Sequence, residues 1–189
     1  GSIVAIEPST GEILSLVSSP GYDPSLLVGR QRTGNFKKLQ NDTLKPLFNR
    51  GLMARYPPGS TFKVVNALIG RQEEVLYPGT TYECHGGFYA GNFHMGCHNH
   101  PSPVNLIKSI QVSCNNYYAH VFKRILQDNE FESISRSFTN WKGYLQSFGF
   151  GDKLNLDLPS ETSGFLPSVE YYNRYYGKNR WKYLNVISL

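Results

Sequence analysis

Nowhere in these 189 residues do apolar side chains run for the ~20 positions that a membrane-spanning helix needs. The first residues also lack the basic-then-apolar pattern of an export signal, so any anchor or leader is expected outside this stretch. Charge is thin: Lys, Arg, Asp and Glu make up only 17%, and like charges gather no further than pairs such as Lys37-Lys38, which excludes polybasic arms and acidic tails. The net charge of +5 reads as solvated surface with a mild preference for an acidic partner or membrane surface. Cysteine is scarce and odd in number, so three thiols cannot all enter a disulfide framework. Repeats and low-complexity tracts are missing too. What is present is 40% hydrophobic residues, enough to exclude a disordered chain and to fill one sizeable core or a large piece of one domain.

Ile3 to Ile6 and Ile13 to Ser18 are β-branched and apolar runs separated by the turn-forming "PSTGE", which predicts a hairpin within residues 1–24. Residues 25–50 carry weak periodicity and predict a mostly irregular or short-helical excursion. "YPPGSTFKVVNALIG" then stops the backbone and launches a helix from about Ser60; Val64, Val65, Ala67, Leu68 and Ile69 make it almost wholly apolar, so it is expected to be buried. Residues 78–103 are turn-rich and hold Cys84, Cys97 and the histidines 85, 94, 98 and 100. "PVNLIKSIQVSCNNYYAHVFKRIL" predicts two helical stretches meeting at Ser113 and Asn115. Residues 140–151 read as a short helix ended by glycine, and "LNLDLPSETSGFLPS" as strand and turns. The tail from Tyr171 is aromatic and basic.

A serine hydroxyl becomes a good nucleophile only when a nearby base takes its proton, and a lysine serves only when burial disfavours its ammonium form. Residues three apart on a helix share a face, so Lys63 can reach back toward Ser60. Free N–H groups at the helix start would also stabilise an oxyanion and a neutral lysine. A capping serine followed by an exposed lysine has the same spacing. Against that, Lys63 lies in an apolar helix, where an unpaired lysine is costly to bury.

"YPPGSTFK" resembles the S-x-x-K box of class B penicillin-binding proteins, and "SCNNYY" their second box. "IVAIEPSTGEILSLVSSPGYDP" is similar to the hairpin that opens their transpeptidase domain, and "FGFGDKLNLDLPSETSGFLP" to the segment after the second box. The resemblance runs from end to end and is strongest to the penicillin-binding protein 2 branch, the cell-elongation transpeptidases. It implies an α+β fold, helices packed on an antiparallel sheet, and a partial transpeptidase domain over 1–189 with no second domain. The third box, K-T-G, occurs nowhere in the sequence. The strand that bears it and most of the sheet are expected beyond Leu189, so these residues alone are expected to be inactive and to need that portion for stability.

The resemblance further implies roles. Ser60 would attack the carbonyl between the terminal D-alanines of a peptidoglycan stem peptide, Lys63 would act as base, Ser113 would relay the proton to the leaving D-alanine, and Asn115 would hold Lys63 and the substrate amide. A second stem peptide would take the acyl group, and β-lactams would acylate Ser60. The setting would be the periplasmic face of an inner membrane, beside cell-elongation membrane proteins.

Cys84, Cys97, His100 and Cys114 follow the spacing C-x12-C-x2-H-x13-C, which suits a closed tetrahedral Zn2+ site, with His98 competing for the histidine place. Members of the penicillin-binding protein 2 branch that carry a zinc site there use carboxylates among the ligands, so the cysteines would be changes of ligand type. A Cys84–Cys97 disulfide with Cys114 free, or no bond at all, are the alternatives. His85, His94 and His120 receive no role. The tail could suggest base stacking, but no nucleic-acid motif accompanies it, and it reads better as aromatics packing under a surface loop, with glycan or membrane contact open. Two rivals complete the reading: a zinc-stabilised binding module, and a β-lactamase or β-lactam sensor sharing S-x-x-K.

Overall fold

The computed structural model describes residues 1–127, 131–178 and 180–187. These divide into two units: Gly1–Tyr56 with Lys153–Gly164, and Pro57–Asp152 with the stretch from Phe165 onward. The tail as read from sequence also takes in Asn179 and Leu189, which lie outside the described residues.

In the first unit, β1 (Ser2–Ile6) and β2 (Ile13–Ser18) form the expected antiparallel hairpin, Ser2 opposite Ser18 and Ala5 opposite Ser15. Register slips between Ala5 and Ile6, beside the turn closed by Gly11 N–H on Glu7 O. Residues 25–50 are more helical than the sequence suggested. A 3-10 turn, Pro24–Leu27, is capped by Asp23, and α1 (Arg32–Asn41) runs ten residues without burying one. A polar helix with no buried face shows almost no hydrophobic period, so the signal was missing rather than misread. The short α2 (Arg50–Met53) is capped by the Asn49 side chain. The strand expected after Leu154 is not there. Instead the Glu161 carboxylate accepts the N–H groups of Leu154 and Leu156, doing for them what a neighbouring strand would have done.

The second unit is built around α5 (Asn115–Leu126), which buries eight of its twelve residues. A 3-10 turn, Gly59–Phe62, runs into α3 (Lys63–Gln72), which packs on α5 so closely that a Cβ on Gly70 would stand 3.2 Å from Val121 Cγ1. The helix is buried on one face only, a correction to the reading of a wholly buried helix. Lys63, Asn66, Ala67 and Gly70 point inward at the 3.6-residue period, while Val64 (45% exposed) and Leu68 (53%) occupy the other side.

Residues 78–103 contain a second hairpin that the sequence did not announce. Strands β3 (Gly87–Ala90) and β4 (Phe93–Gly96) pair with Gly87 opposite Gly96, and Tyr82 bridges Val104. Their glycines and histidines are poor strand formers, and the hairpin depends on tertiary packing: Phe88 is buried beside His120 of α5. α4 (Leu106–Gln111) is capped by Asn105 and ends just before the predicted junction. α6 (Ile134–Ser147) starts at a Ser133 cap, earlier than residue 140, and buries Phe138, Trp141 and Leu145 against the core. α7 (Val169–Tyr176) and α8 (Tyr183–Val186) flank Trp181, whose indole is buried against Phe138 and Tyr172.

Candidate active site and metal cluster

Between α4 and α5 the chain turns through Ser113, whose φ of 50° lies in the left-handed region that a residue with a Cβ seldom adopts. That turn presents both the carbonyl and the hydroxyl of Ser113 to Lys63. The buried Lys63 ammonium, 2% exposed, donates to Ser113 O at 2.7 Å, Ser113 Oγ at 3.0 Å and Asn115 Oδ1 at 2.5 Å. Three donors thus meet three acceptors, which is how a buried cation avoids the cost of an unmade bond. Asn115 cannot flip, because its Nδ2 donates to Gly96 O at 2.9 Å and so turns Oδ1 toward the lysine. Burial lowers the Lys63 pKa, favouring the neutral amine that a base must be.

Ser60 lies in the 3-10 turn one step before α3, with its side chain exposed. Among the described residues no hydrogen bond joins its hydroxyl to Lys63. The two share the helix entrance, as their spacing predicted, but the lysine is aimed across to the second box. Sequence reasoning missed Tyr118, whose ring centroid is 5.9 Å from Lys63 Nζ, and Asn66, which accepts the Trp141 Nε1–H at 3.0 Å one turn after Lys63. Tyr118 follows Asn115 by three on α5 and could have been placed by that spacing. Trp141 comes from a distant helix and left no local signal.

Beside this constellation the ligand atoms of Cys84, Cys97, His100 and Cys114 lie within 4.8 Å of one another. Cys97 Sγ is 4.0 Å from Cys114 Sγ and 3.4 Å from His100 Nε2. All three cysteines are free thiols, so the Cys84–Cys97 disulfide is not formed. His98 remains exposed with its ring 5.4 Å from that of His100, outside the cluster. His100 Nδ1 is 2.9 Å from Pro101 O, an atom that can only accept, so Nδ1 carries the proton and Nε2 keeps its lone pair toward the thiols.

Burial pushes the Cys114 thiol up to about 12. It acts the same way on Cys97, but the N–H groups of Asn115 and Asn116, His100 and Cys84 outweigh it and bring that thiol down to about 7. The Pro101 carbonyl on Nδ1 raises the His100 pKa. The cluster is tied to the second box directly, since Cys97 Sγ accepts the N–H of Asn115 at 3.3 Å and Cys114 caps α5 through the N–H of Tyr117 at 3.3 Å.

Residues 1–183 match the family model of the penicillin binding protein transpeptidase domain. The chain belongs to this family. Peptidoglycan D,D-transpeptidase MrdA of Acinetobacter baumannii is 33% identical over an alignment of 198 residues that takes in 100% of this chain and 27% of that protein. The crystal structure of Pseudomonas aeruginosa PBP2 in complex with WCK 5153 superposes with a TM-score of 0.77 at 32% identity, over 96% of this chain and 40% of the other. PBP2 of Helicobacter pylori, in its complex with MreC, gives a TM-score of 0.80 at 26% identity over 96% and 32%. The chain therefore spans about a quarter of the length of the curated relatives it matches. The α+β transpeptidase fold expected from the two boxes holds, and family membership leaves a stand-alone zinc-stabilised binding module without support.

Proposed function

We propose that this sequence is the nucleophile-bearing part of a peptidoglycan D,D-transpeptidase acting on the periplasmic face of an inner membrane. The observation that carries the reading is the buried Lys63 held by Ser113 and Asn115 at the entrance of the helix that Ser60 precedes. Ser60 Oγ attacks the carbonyl of the penultimate D-alanine while its proton passes to neutral Lys63. As the tetrahedral intermediate collapses, that proton moves through Ser113 Oγ to the nitrogen of the departing D-alanine, leaving the acyl group on Ser60. An amine of a second stem peptide then attacks the ester carbonyl, gives up a proton and takes the acyl group, and Ser60 regains its hydrogen. A β-lactam ring undergoes the first step and stays bound. Cell-elongation membrane proteins are the expected partners, in keeping with the PBP2–MreC complex of the Helicobacter pylori relative.

Cys84, Cys97, His100 and Cys114 would hold a structural Zn2+. The donor set fits: a tetrahedral ion at about 2.3 Å from each thiolate separates two sulfurs by about 3.8 Å, close to the 4.0 Å between Cys97 and Cys114. When bound, the ion would supply crosslinking between the two ends of the β3–β4 hairpin and the α4–α5 junction rather than chemistry. The cysteines and His100 would themselves fix where Asn115 begins its helix.

Intact-mass spectrometry with a penicillin tests the reading. The natural protein that carries this sequence should gain one adduct, lost in Ser60→Ala, whereas the 189 residues alone should gain none. An adduct that survives Ser60→Ala would end the assignment.

A further inference from the structure

Two sulfurs of the cluster flank the residue that holds the active-site lysine. Cys97 follows β4 and Cys114 precedes α5. Asn115 ties the two segments together, its N–H reaching Cys97 Sγ at 3.3 Å and its Nδ2 reaching Gly96 O at 2.9 Å. The sulfurs stand 4.0 Å apart. A disulfide sets its sulfurs at about 2.05 Å, so an approach of about 2 Å closes the bond. Cys97 is half-buried and open to a small oxidant, whereas Cys114 is fully buried, so the first attack belongs to Cys97 and the second to Cys114.

We infer that Cys97 and Cys114 are a redox-active pair that closes into a disulfide when no metal holds them. The oxidant is a small disulfide, which the oxidising periplasmic setting read above would supply. Cys97 Sγ, as thiolate, attacks one sulfur of the oxidant, forming a mixed disulfide and releasing one small thiolate. Cys114 then loses its proton to solvent and attacks Cys97 Sγ, and the second small thiolate leaves with the electron pair of the broken bond. Two protein thiols are thereby oxidised while the oxidant is reduced to two small thiols, which carry off the two protons. Neither sulfur of the product is an anionic ligand, so the bond and a bound Zn2+ exclude each other. Closure draws Cys97 Sγ from the Asn115 N–H and Cys114 Sγ from the Tyr117 N–H, both accepted at 3.3 Å. Asn115 Oδ1 is then displaced from Lys63, and a misplacement of about 1 Å is enough to slow a reaction about a hundredfold. That slowing rests on the transpeptidase reading above; the bond itself does not.

The test exposes the natural protein that carries this sequence, stripped of metal, to oxidised glutathione and digests it without reductant. Trypsin and chymotrypsin cut between all three cysteines, at Lys108 and at Phe88, Tyr89 and Phe93. Mass spectrometry should find the Cys97 peptide joined to the Cys114 peptide, lighter by the two lost hydrogens and parted again by a phosphine. Zinc loaded beforehand should slow the joining at least about tenfold, since only the metal-free fraction reacts. Labelling of Ser60 by a fluorescent penicillin should fall about a hundredfold in the oxidised protein and return on reduction. No link, or Cys84 joined to either cysteine in its place, overturns the proposal. Equal joining with zinc shown bound by native mass spectrometry overturns the exclusion, and unchanged labelling in the linked protein overturns the coupling to Asn115. Unoxidised protein that takes no penicillin sinks the transpeptidase reading, and protein that binds no zinc sinks the metal reading; in both cases the peptide map still decides the bond.

Discussion

Lys63 Nζ and Asn115 Oδ1 lie 2.5 Å apart across two helices, with Ser113 Oγ 3.0 Å from the same nitrogen. The pair joins the first box to the second. Lys63→Met should lower the rate of penicillin acylation by at least about a thousandfold, and Asn115→Ala by about a hundredfold, the range over which a positioned base and its support act. The base works when neutral, so the rate should climb with pH along a limb whose midpoint lies below the ordinary lysine value of about 10.4, because burial disfavours the ammonium. Labelling rates with a fluorescent penicillin between pH 6 and 10 decide it; a flat profile would remove Lys63 as the base.

The cysteine cluster makes a prediction that does not depend on activity. Native mass spectrometry should find one zinc ion per chain, lost in Cys97→Ser or His100→Ala. An ion bound with a dissociation constant about a thousandfold below its free concentration adds about 4 kcal/mol to stability, so a strong chelator should lower the unfolding free energy by several kcal/mol. Thiol titration of the denatured, metal-free 189-residue chain should count three. A count of one would mean that a disulfide forms after all, in place of the free thiols found here.

Trp141 anchors the active-site helix from α6. Its indole N–H reaches the buried Asn66 Oδ1 at 3.0 Å, and its ring meets Phe62 edge-on at 6.3 Å. Replacing it by phenylalanine removes the donor, and the cost should be about 1–3 kcal/mol in urea unfolding. Tyr89→Ala, at an exposed strand position, should stay within about 0.5 kcal/mol. Equal effects would show that the buried hydrogen bond contributes little.

Most of this site could be read before any coordinate, because its signals are local. Ser60 and Lys63 are three residues apart, and Ser113 and Asn115 interrupt a helical period with residues that favour caps. The spacing of the three cysteines and His100 suited a cluster, although it left a Cys84–Cys97 disulfide or no bond open for the fold to decide. Where the reading failed, the deciding forces were not local. β3 and β4 owe their hairpin to Phe88 packing beside α5, α1 has no apolar stripe to find, and the stretch after Leu154 uses Glu161 where a strand was expected. Val64 and Leu68 looked buried because composition says nothing about which side of a helix has a neighbour.

His120 links stability to pH. Its ring stacks on Tyr82 at 4.6 Å and meets Phe88 at 5.0 Å, and burial, with Lys123 nearby, holds its pKa below the usual value near 6.5. The unfolded chain therefore takes up a proton first as pH falls. The contribution is complete above about pH 6.5 and is lost as pH falls through the lower folded value. The wild-type melting temperature should fall more steeply between pH 7.5 and 5 than that of His120→Gln, which cannot titrate. Parallel curves would mean that the imidazole is free to protonate in the folded state.

The opening hairpin is the part most exposed to failure. Ile3 and Leu14 are among its exposed side chains, none of its β1 residues is buried, and a two-stranded sheet is marginal in water. α5, with eight buried residues, is the opposite case. Hydrogen exchange on the 189-residue chain should therefore replace the β1–β2 amides at least about a thousandfold faster than those of α5, since local opening free energies range from near zero to the global value. In the natural protein, where we propose that further strands complete the sheet, the same amides should slow toward the α5 rates. Hairpin amides as protected as α5 in the 189 residues alone would show that the pair is stable without those strands, and the expectation that it needs them would be wrong.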